Sequence, residues 1–246
     1  MIRIALAGLL CLLAALPLRA GILAEGTRLI YPAQSREKTL MLANTNRYPV
    51  IVQSWVDDGE GNPELARAPF AILPAVFRLA PGERKAIRIL YTQDPLPRDR
   101  ESVFWINLYE IPPVAPGPSD AARVTLAMNT QLKLFWRPAG LDTGLDRAVG
   151  KLRFRLERAG AGWAIACDNP TPLNISFTSL ALTGAAPPRS VIPEPDMMTR
   201  AFTTRRYALS GPPGEGRQIR FTWLDDNGAA IVSTAATETA TPSSTP

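Results

Sequence analysis

The sequence predicts an all-β chain of two consecutive β-sandwiches, and three observations carry that expectation. Runs of β-branched and aromatic residues recur between turn signals, with no sustained helical period. A break at Pro138-Ala139-Gly140, extended by Asp142, Gly144 and Asp146, divides the chain into two similar halves. Each half is close to the ~100 residues that one sandwich requires. With 246 residues, 46% of them apolar, there is chain enough for two cores.

In the first half, residues 38–44 and 48–57 read as strands separated by Asn44-Thr45-Asn46. Residues 69–79 are apolar but interrupted by Pro69 and Pro74, and Pro81-Gly82 marks a turn. Residues 84–91 alternate, with Ile87, Ile89 and Tyr91 on one face. The strongest strands are 103–111 and 123–137, joined by a Pro- and Gly-rich loop at 112–122. In the second half, 151–157, 163–169, 173–180 and 218–224 read as strands. Four prolines mark 184–196 as a long loop, and from Ala235 the Thr, Ser, Ala and Pro composition predicts a disordered tail.

The first twenty residues read as a secretory signal peptide: Arg3, an apolar run from Ile4 to Leu16, and small residues at Ala20 and Gly21. Cleavage is placed after Ala20. The run is too short for a normal membrane span. Leu9-Leu10 before Cys11 do not suit a lipoprotein site, which wants a small residue there. The expected division is signal peptide 1–20, first domain 21–138, second domain 139–234 and tail 235–246. Cys167 is then the one remaining cysteine, so no intrachain disulfide is expected despite export.

Composition narrows the function. There is no histidine, which removes Ser-His-Asp and Cys-His catalysis and imidazole metal sites. Two cysteines cannot form a thiolate zinc site. A net charge of +5 without a basic run does not point to nucleic acid. No cofactor or metal is expected.

Several motifs occur in a telling order: Thr27 to Pro32 (TRLIYP), VQSWVDD at 52–58, FRLAPGE at 77–83, and Arg88-Ile89. ESVFWINLYEIPP at 101–113, KLFWRP at 133–138, NPTP at 169–172 and WLDDNG at 223–228 follow. On these the chain resembles the periplasmic pilus (fimbrial) chaperones of the chaperone–usher pathway. The short 112–122 loop and the lack of a cysteine pair resemble the short-loop subgroup, which commonly serves rod-like pili. The resemblance implies two immunoglobulin-like sandwiches set at an angle with a cleft between them. It also implies a periplasmic protein that donates a β-strand to pilin subunits and delivers them to an outer-membrane usher. The 173–177 run and the segment around Met197-Met198 follow the family pattern only in part.

Val124, Leu126 and Met128 alternate with polar or small residues, so they share one face. Alone this describes a half-buried core strand. By the resemblance it is the donated strand, whose backbone pairs with a subunit and whose apolar side chains fill its groove. Each anchor contributes about 1.5–3 kcal/mol against an association cost of roughly 4–15 kcal/mol. Ladder hydrogen bonds and charge contacts are therefore needed as well. Arg28 and Lys133 alone read as solvated charges. By the resemblance they line the cleft and bind the subunit's C-terminal carboxylate. Lys133 has opposite parity to the three anchors, so strict alternation puts it on the other face. Asn107, Glu110, Glu83 and Asp58 read as structural ties, and Trp55, Trp105, Trp136, Trp163 and Trp223 as core fillers.

The alternative function is a structural or adhesive immunoglobulin-like protein of a surface fibre. It predicts no open edge at 124–132 and no need for Arg28 or Lys133. A carbohydrate-active or hydrolytic enzyme has no motif to support it. Self-association is left open: without a client, the apolar edge is available for capping by a second copy.

Overall fold

The computed structural model describes residues 21–113, 126–141, 143–184 and 187–238. The first sandwich has nine strands: β1 (Ile22–Ala24), β2 (Arg28–Pro32), β3 (Glu37–Asn44), β4 (Val50–Asp57), β5 (Phe70–Leu73), β6 (Val76–Leu79), β7 (Arg84–Tyr91), β8 (Ser102–Ile111) and β9 (Met128–Arg137). One sheet runs β1-β3-β7-β5 and the other β2-β9-β8-β4-β6. The apolar run at 69–79 becomes two short strands in opposite sheets, with the chain turning at Pro74 between them. Leu40, Leu42, Ile87 and Ile89 face Val52, Ile106, Leu108, Leu132 and Leu134 across the core. Tyr31, Phe70, Tyr91, Phe104 and Trp136 close one end, with ring centroids 5.2–6.5 Å apart.

The leading segment changes sheets. β1 pairs antiparallel with β3, and after Gly26 β2 pairs parallel with β9. β8 and β9 keep one register from Glu110↔Met128 to Ser102↔Trp136 without a bulge. Even-numbered positions of β9 therefore face the core and odd-numbered positions the outside. The outer face of this sheet is partly roofed. Asp57 accepts the Gly59 and Gly61 amides (both 2.9 Å) and the Trp55 indole (2.9 Å), folding residues 57–61 over Trp105.

A short helix, α1 (Leu145–Val149), leads into the second sandwich: β10 (Arg153–Ala159), β11 (Gly162–Asn169), β12 (Ile175–Thr183), β13 (Arg189–Ser190), β14 (Met198–Thr199), β15 (Thr203–Ala208), β16 (Gln218–Leu224) and β17 (Ala230–Glu238). The strand order is β13-β12-β16-β17-β10-β11-β15, with β14 beside β12. Phe154, Ile165, Cys167, Phe177, Tyr207, Ile219, Phe221 and Trp223 fill the core.

Three expectations need correction. The chain does not lose structure at Ala235: β17 continues to Glu238, pairing with β16 through Ala236 and with β10 through Thr237 and Glu238. The physical reason is an alternating Thr/Ala run beside a strand edge that needs a partner, with Ile231 and Ala235 packed on the core. The loop at 184–196 holds the short strand β13 and a bridge from Val191 to Leu209. Trp136 and Trp223 are buried in the cores, and Trp163, partly buried beneath Arg158, packs against the second core. Trp55 and Trp105 stand on odd positions of their strands, facing away from the core.

Candidate functional site

The two sandwiches are clamped together around one arginine. Arg137, at the end of β9, forks onto Asp226 of the β16–β17 turn (2.7 and 2.8 Å). Its Nε donates to Oε1 of Glu101 (2.9 Å). Oε2 of Glu101 accepts both the backbone and side-chain amides of Asn174 in the second sandwich (both 3.0 Å). Glu101 N–H donates to Pro172 O (2.8 Å). Burial raises the Glu101 carboxyl above its ordinary range, opposed by Arg137 and Asn174. Arg137 is raised: burial works against its charge, but Asp226 and Glu101 outweigh it. The same turn presses on the first sandwich, since a Cβ on Gly228 would lie 2.6 Å from Thr27 Oγ1.

Beside this clamp lies a cation pair. Arg28 and Lys133 are register partners in the parallel pair of β2 and β9. Both side chains leave the outer face, away from the core. Arg28 Nη1 donates to Leu224 O (3.2 Å), its guanidinium lies 5.6 Å from the Phe135 ring centroid, and its buried Nε has no acceptor among the described residues. Burial lowers the Arg28 pKa, opposed by Asp226, Asp225 and Glu101. Lys133 Nζ bonds Asp196 Oδ1 at 2.5 Å. Burial also lowers Lys133, opposed by Asp196 and reinforced by Arg28 and Arg205. Arg205 steadies the loop carrying Asp196: it bonds Glu194 (2.5 Å) and Met198 O (2.9 Å) and stands 3.7 Å from Asp196.

The third component is an open edge. β2 covers the outer side of β9 only from Lys133 to Arg137, so among the described residues Met128–Leu132 pair with β8 alone. Half of that stretch's backbone groups are left for another strand. Leu126 is 76% exposed and Met128 48% exposed. Val124, with most of the 112–122 loop, lies outside the described residues. On the other face, Asn107 accepts from Asn129 Nδ2 (2.9 Å) and Gln131 Nε2 (2.8 Å), fixing their side chains.

Arg28 and Lys133 are thus brought together, and the unbroken register puts Lys133 on the face opposite Met128, with Leu126 just ahead of the strand. The strand offers its edge and apolar face to one neighbour while its base presents two cations to the cleft. Such an arrangement can hold a carboxylate and pair an extended segment running away from it. Sequence reasoning assigned no role to Glu101, Arg137 and Asp226, although each lies inside a quoted motif. A charge embedded in an otherwise apolar run was the available signal. Asp196 carried no sequence signal, because its contact with Lys133 is purely tertiary.

Comparisons with known proteins match both sandwiches. The family model described as the PapD N-terminal domain of pili and flagellar-assembly chaperones matches residues 21–142, and that of the PapD C-terminal domain of pili assembly chaperones matches 147–235. The chaperone protein LpfB of Salmonella typhimurium is 32% identical over 222 residues, 90% of each chain. The probable fimbrial chaperone YadV of Escherichia coli is 33% identical, covering 86% of this chain and 88% of the relative. Among solved structures, the YadV chaperone matches with a TM-score of 0.75 at 31% identity, over 87% of this chain and 98% of that one. The SafB chaperone of Salmonella enterica, solved in complex with the SafA pilin, matches with a TM-score of 0.74 at 25% identity, over 89% and 97%.

Proposed function

The chain belongs to the PapD-like family of pilus-assembly chaperones, and from that premise we propose how its own residues bind a pilin subunit. The subunit's C-terminal carboxylate enters the cleft between Arg28 and Lys133. Its last segment then runs along the open edge of β9 and takes up the unpaired backbone groups of Met128–Leu132. Leu126 and Met128, continued by Val124, insert into the groove left by the subunit's missing strand. Fixing the carboxylate fixes register, and a slip of one residue would turn every anchor to the wrong face.

The observation that carries this reading is the half-covered β9. One strand is closed by β2 beside the two cations and left open beside two exposed apolar side chains. The structural or adhesive alternative expects no open edge at 124–132, whereas Met128–Leu132 pair with β8 alone among the described residues.

The activity is binding, in the periplasm after removal of a signal peptide ending at Ala20, with handover of the subunit to an outer-membrane usher. No helix among the described residues is long and apolar enough to cross a membrane. Without a client, the same edge is available to a second copy.

The test is affinity capture from the periplasm of pilus-producing cells, comparing wild type with Arg28→Ala and Lys133→Ala. A small secreted subunit retained by wild type alone supports the whole scheme. Equal retention by all three removes the cations from the site, and no subunit at all sinks the proposal.

A further inference from the structure

Glu110 is a buried carboxylate that lacks a cation. It lies on a core-facing position of β8 and is 6% exposed. Among the described residues no Lys or Arg nitrogen comes within 4.0 Å of it. Its two oxygens accept from neutral donors: Oε2 from the Ile22 amide at 3.0 Å, and Oε1 from Asn46 Nδ2 at 2.7 Å. Asn46 is itself buried, and its Oδ1 accepts the Gly21 N–H at 2.9 Å. Thr45 holds the Gly21 carbonyl with its backbone N–H (3.0 Å) and its hydroxyl (2.8 Å). A carboxylate removed from water normally requires an opposite charge beside it.

These groups converge on the residue that follows Ala20. Gly21 carries no side chain, and the space around it is tight. A Cβ there would meet Met128 Cε at 3.2 Å and Glu110 Oε2 at 3.6 Å. Polar groups are thus gathered tightly around the nitrogen and carbonyl of a single backbone residue, against the first residue of the open strand. An interior peptide nitrogen offers such a cluster one N–H and no charge. An amino terminus offers three N–H groups and a full positive charge.

We propose that the α-ammonium of Gly21 is the cation that Glu110 lacks, so that leader removal itself locks the root of β9. The inference rests on the reading that the leader ends at Ala20. The covalent step belongs to the host's signal peptidase: water cleaves the Ala20–Gly21 amide, Ala20 leaves as a carboxylate, and Gly21 keeps the protonated amine. The new ammonium keeps its bond to Asn46 Oδ1 and sits within the hydrogen-bond cluster of Glu110. The unprocessed chain holds Glu110 uncompensated, and Met128 then rests on a Gly21 that no charge ties down.

The test uses the mature chain from Gly21 to Pro246 with a free or an acetylated α-amino group, each with Glu110 and with Glu110→Gln. Acetylation keeps one N–H for Asn46, removes the charge and the other two N–H donors, and restores the amide of the unprocessed chain. Unfolding in urea is followed for all four forms, and the exported protein's first residue is sequenced. The expected first residue is Gly21. Acetylation should raise the unfolding constant of the Glu110 protein at least tenfold and change that of the Glu110→Gln protein less than twofold. It should also speed amide exchange at Met128–Gln131. Equal effects of acetylation with and without the carboxylate overturn the docking while leaving the cleavage site standing. A different first residue overturns the cleavage reading, and the proposal with it. If Glu110→Gln does not fold, equal stability of the free and acetylated Glu110 proteins is the overturning result.

Discussion

Arg28 and Lys133 stand directly beside each other, as register partners on neighbouring parallel strands. Adjacent strands lie about 4.8 Å apart, so two like charges are held close on one sheltered face. Burial lowers the pKa of both. A cation whose folded pKa lies below its unfolded value costs stability while charged, and that cost disappears only above the unfolded pKa. Lys133→Met should therefore leave the urea midpoint unchanged or slightly raised. A charge-assisted contact with a carboxylate is worth ~1.5–3 kcal/mol, so subunit affinity should fall roughly 10- to 150-fold. Urea melts and binding titrations check the two halves separately.

Leu126 gives the complementary case. At 76% exposure it packs on almost nothing in the free protein. Leu126→Asn should shift unfolding free energy by less than about 0.5 kcal/mol, as surface substitutions do. If it fills a subunit groove, affinity falls by about 1.5–3 kcal/mol. A matched control, Ala127→Asn on the opposite parity, should leave affinity within about twofold. Equal losses from both substitutions would contradict the register.

Strand alternation made the sandwiches legible because each core strand has one dry face. The parity of Lys133 against Leu126 and Met128 was readable for the same reason. Other positions failed where a second partner covers the outer face. Phe135 is odd-numbered yet buried, because it lies under Arg28 in the cleft. Residues 173–177 broke the family's alternation because both faces are used: Leu173, Ile175 and Phe177 enter the core while Asn174 binds Glu101. Trp55 and Trp105 were misplaced because size was read as burial, while the sheet's outer face, roofed at 57–61, also holds aromatic rings. Contacts between the domains, Lys133–Asp196 above all, join residues far apart in sequence, and no local pattern announces them.

The clamp at Arg137 predicts a large stability effect. The Glu101 side chain is only 1% exposed, and both oxygens of its carboxylate are hydrogen-bonded. Arg137→Ala leaves that carboxylate buried without its cation, at a cost of about 3–5 kcal/mol. Asp226→Asn keeps the Arg137–Glu101 pair and loses a half-exposed partner, so it should cost about 1 kcal/mol. Denaturant melts should rank them in that order. Solution scattering should show a broader distribution of interdomain angles for Arg137→Ala.

Cys167 is fully buried on β11, and burial pushes its thiol up to about 12. Against an ordinary thiol near 9, the thiolate population at pH 8 is about a thousandfold smaller. Iodoacetamide should leave Cys167 of the native protein unlabelled over hours and label it promptly in urea. Labelling of the folded chain at the rate of a free thiol would contradict the burial of β11.

If the cleft takes the subunit's carboxylate as proposed, Asp196 decides how readily it does so. Its own carboxylate already occupies Lys133 at 2.5 Å, and Arg205 holds the loop that presents it. On the proposed binding mode, an incoming C-terminus must share Lys133 with that negative charge or displace it. Asp196→Asn keeps the side chain's shape and removes the charge, leaving Lys133 free for the ligand. Subunit affinity should rise about three- to tenfold, and a subunit peptide with an amidated C-terminus should show no gain. The same substitution takes one partner from a partly buried pair, so stability should fall by no more than about 1 kcal/mol. A gain with both peptide forms would assign the effect to loop mobility, and a loss with the free acid would make Asp196 a necessary brace for Lys133.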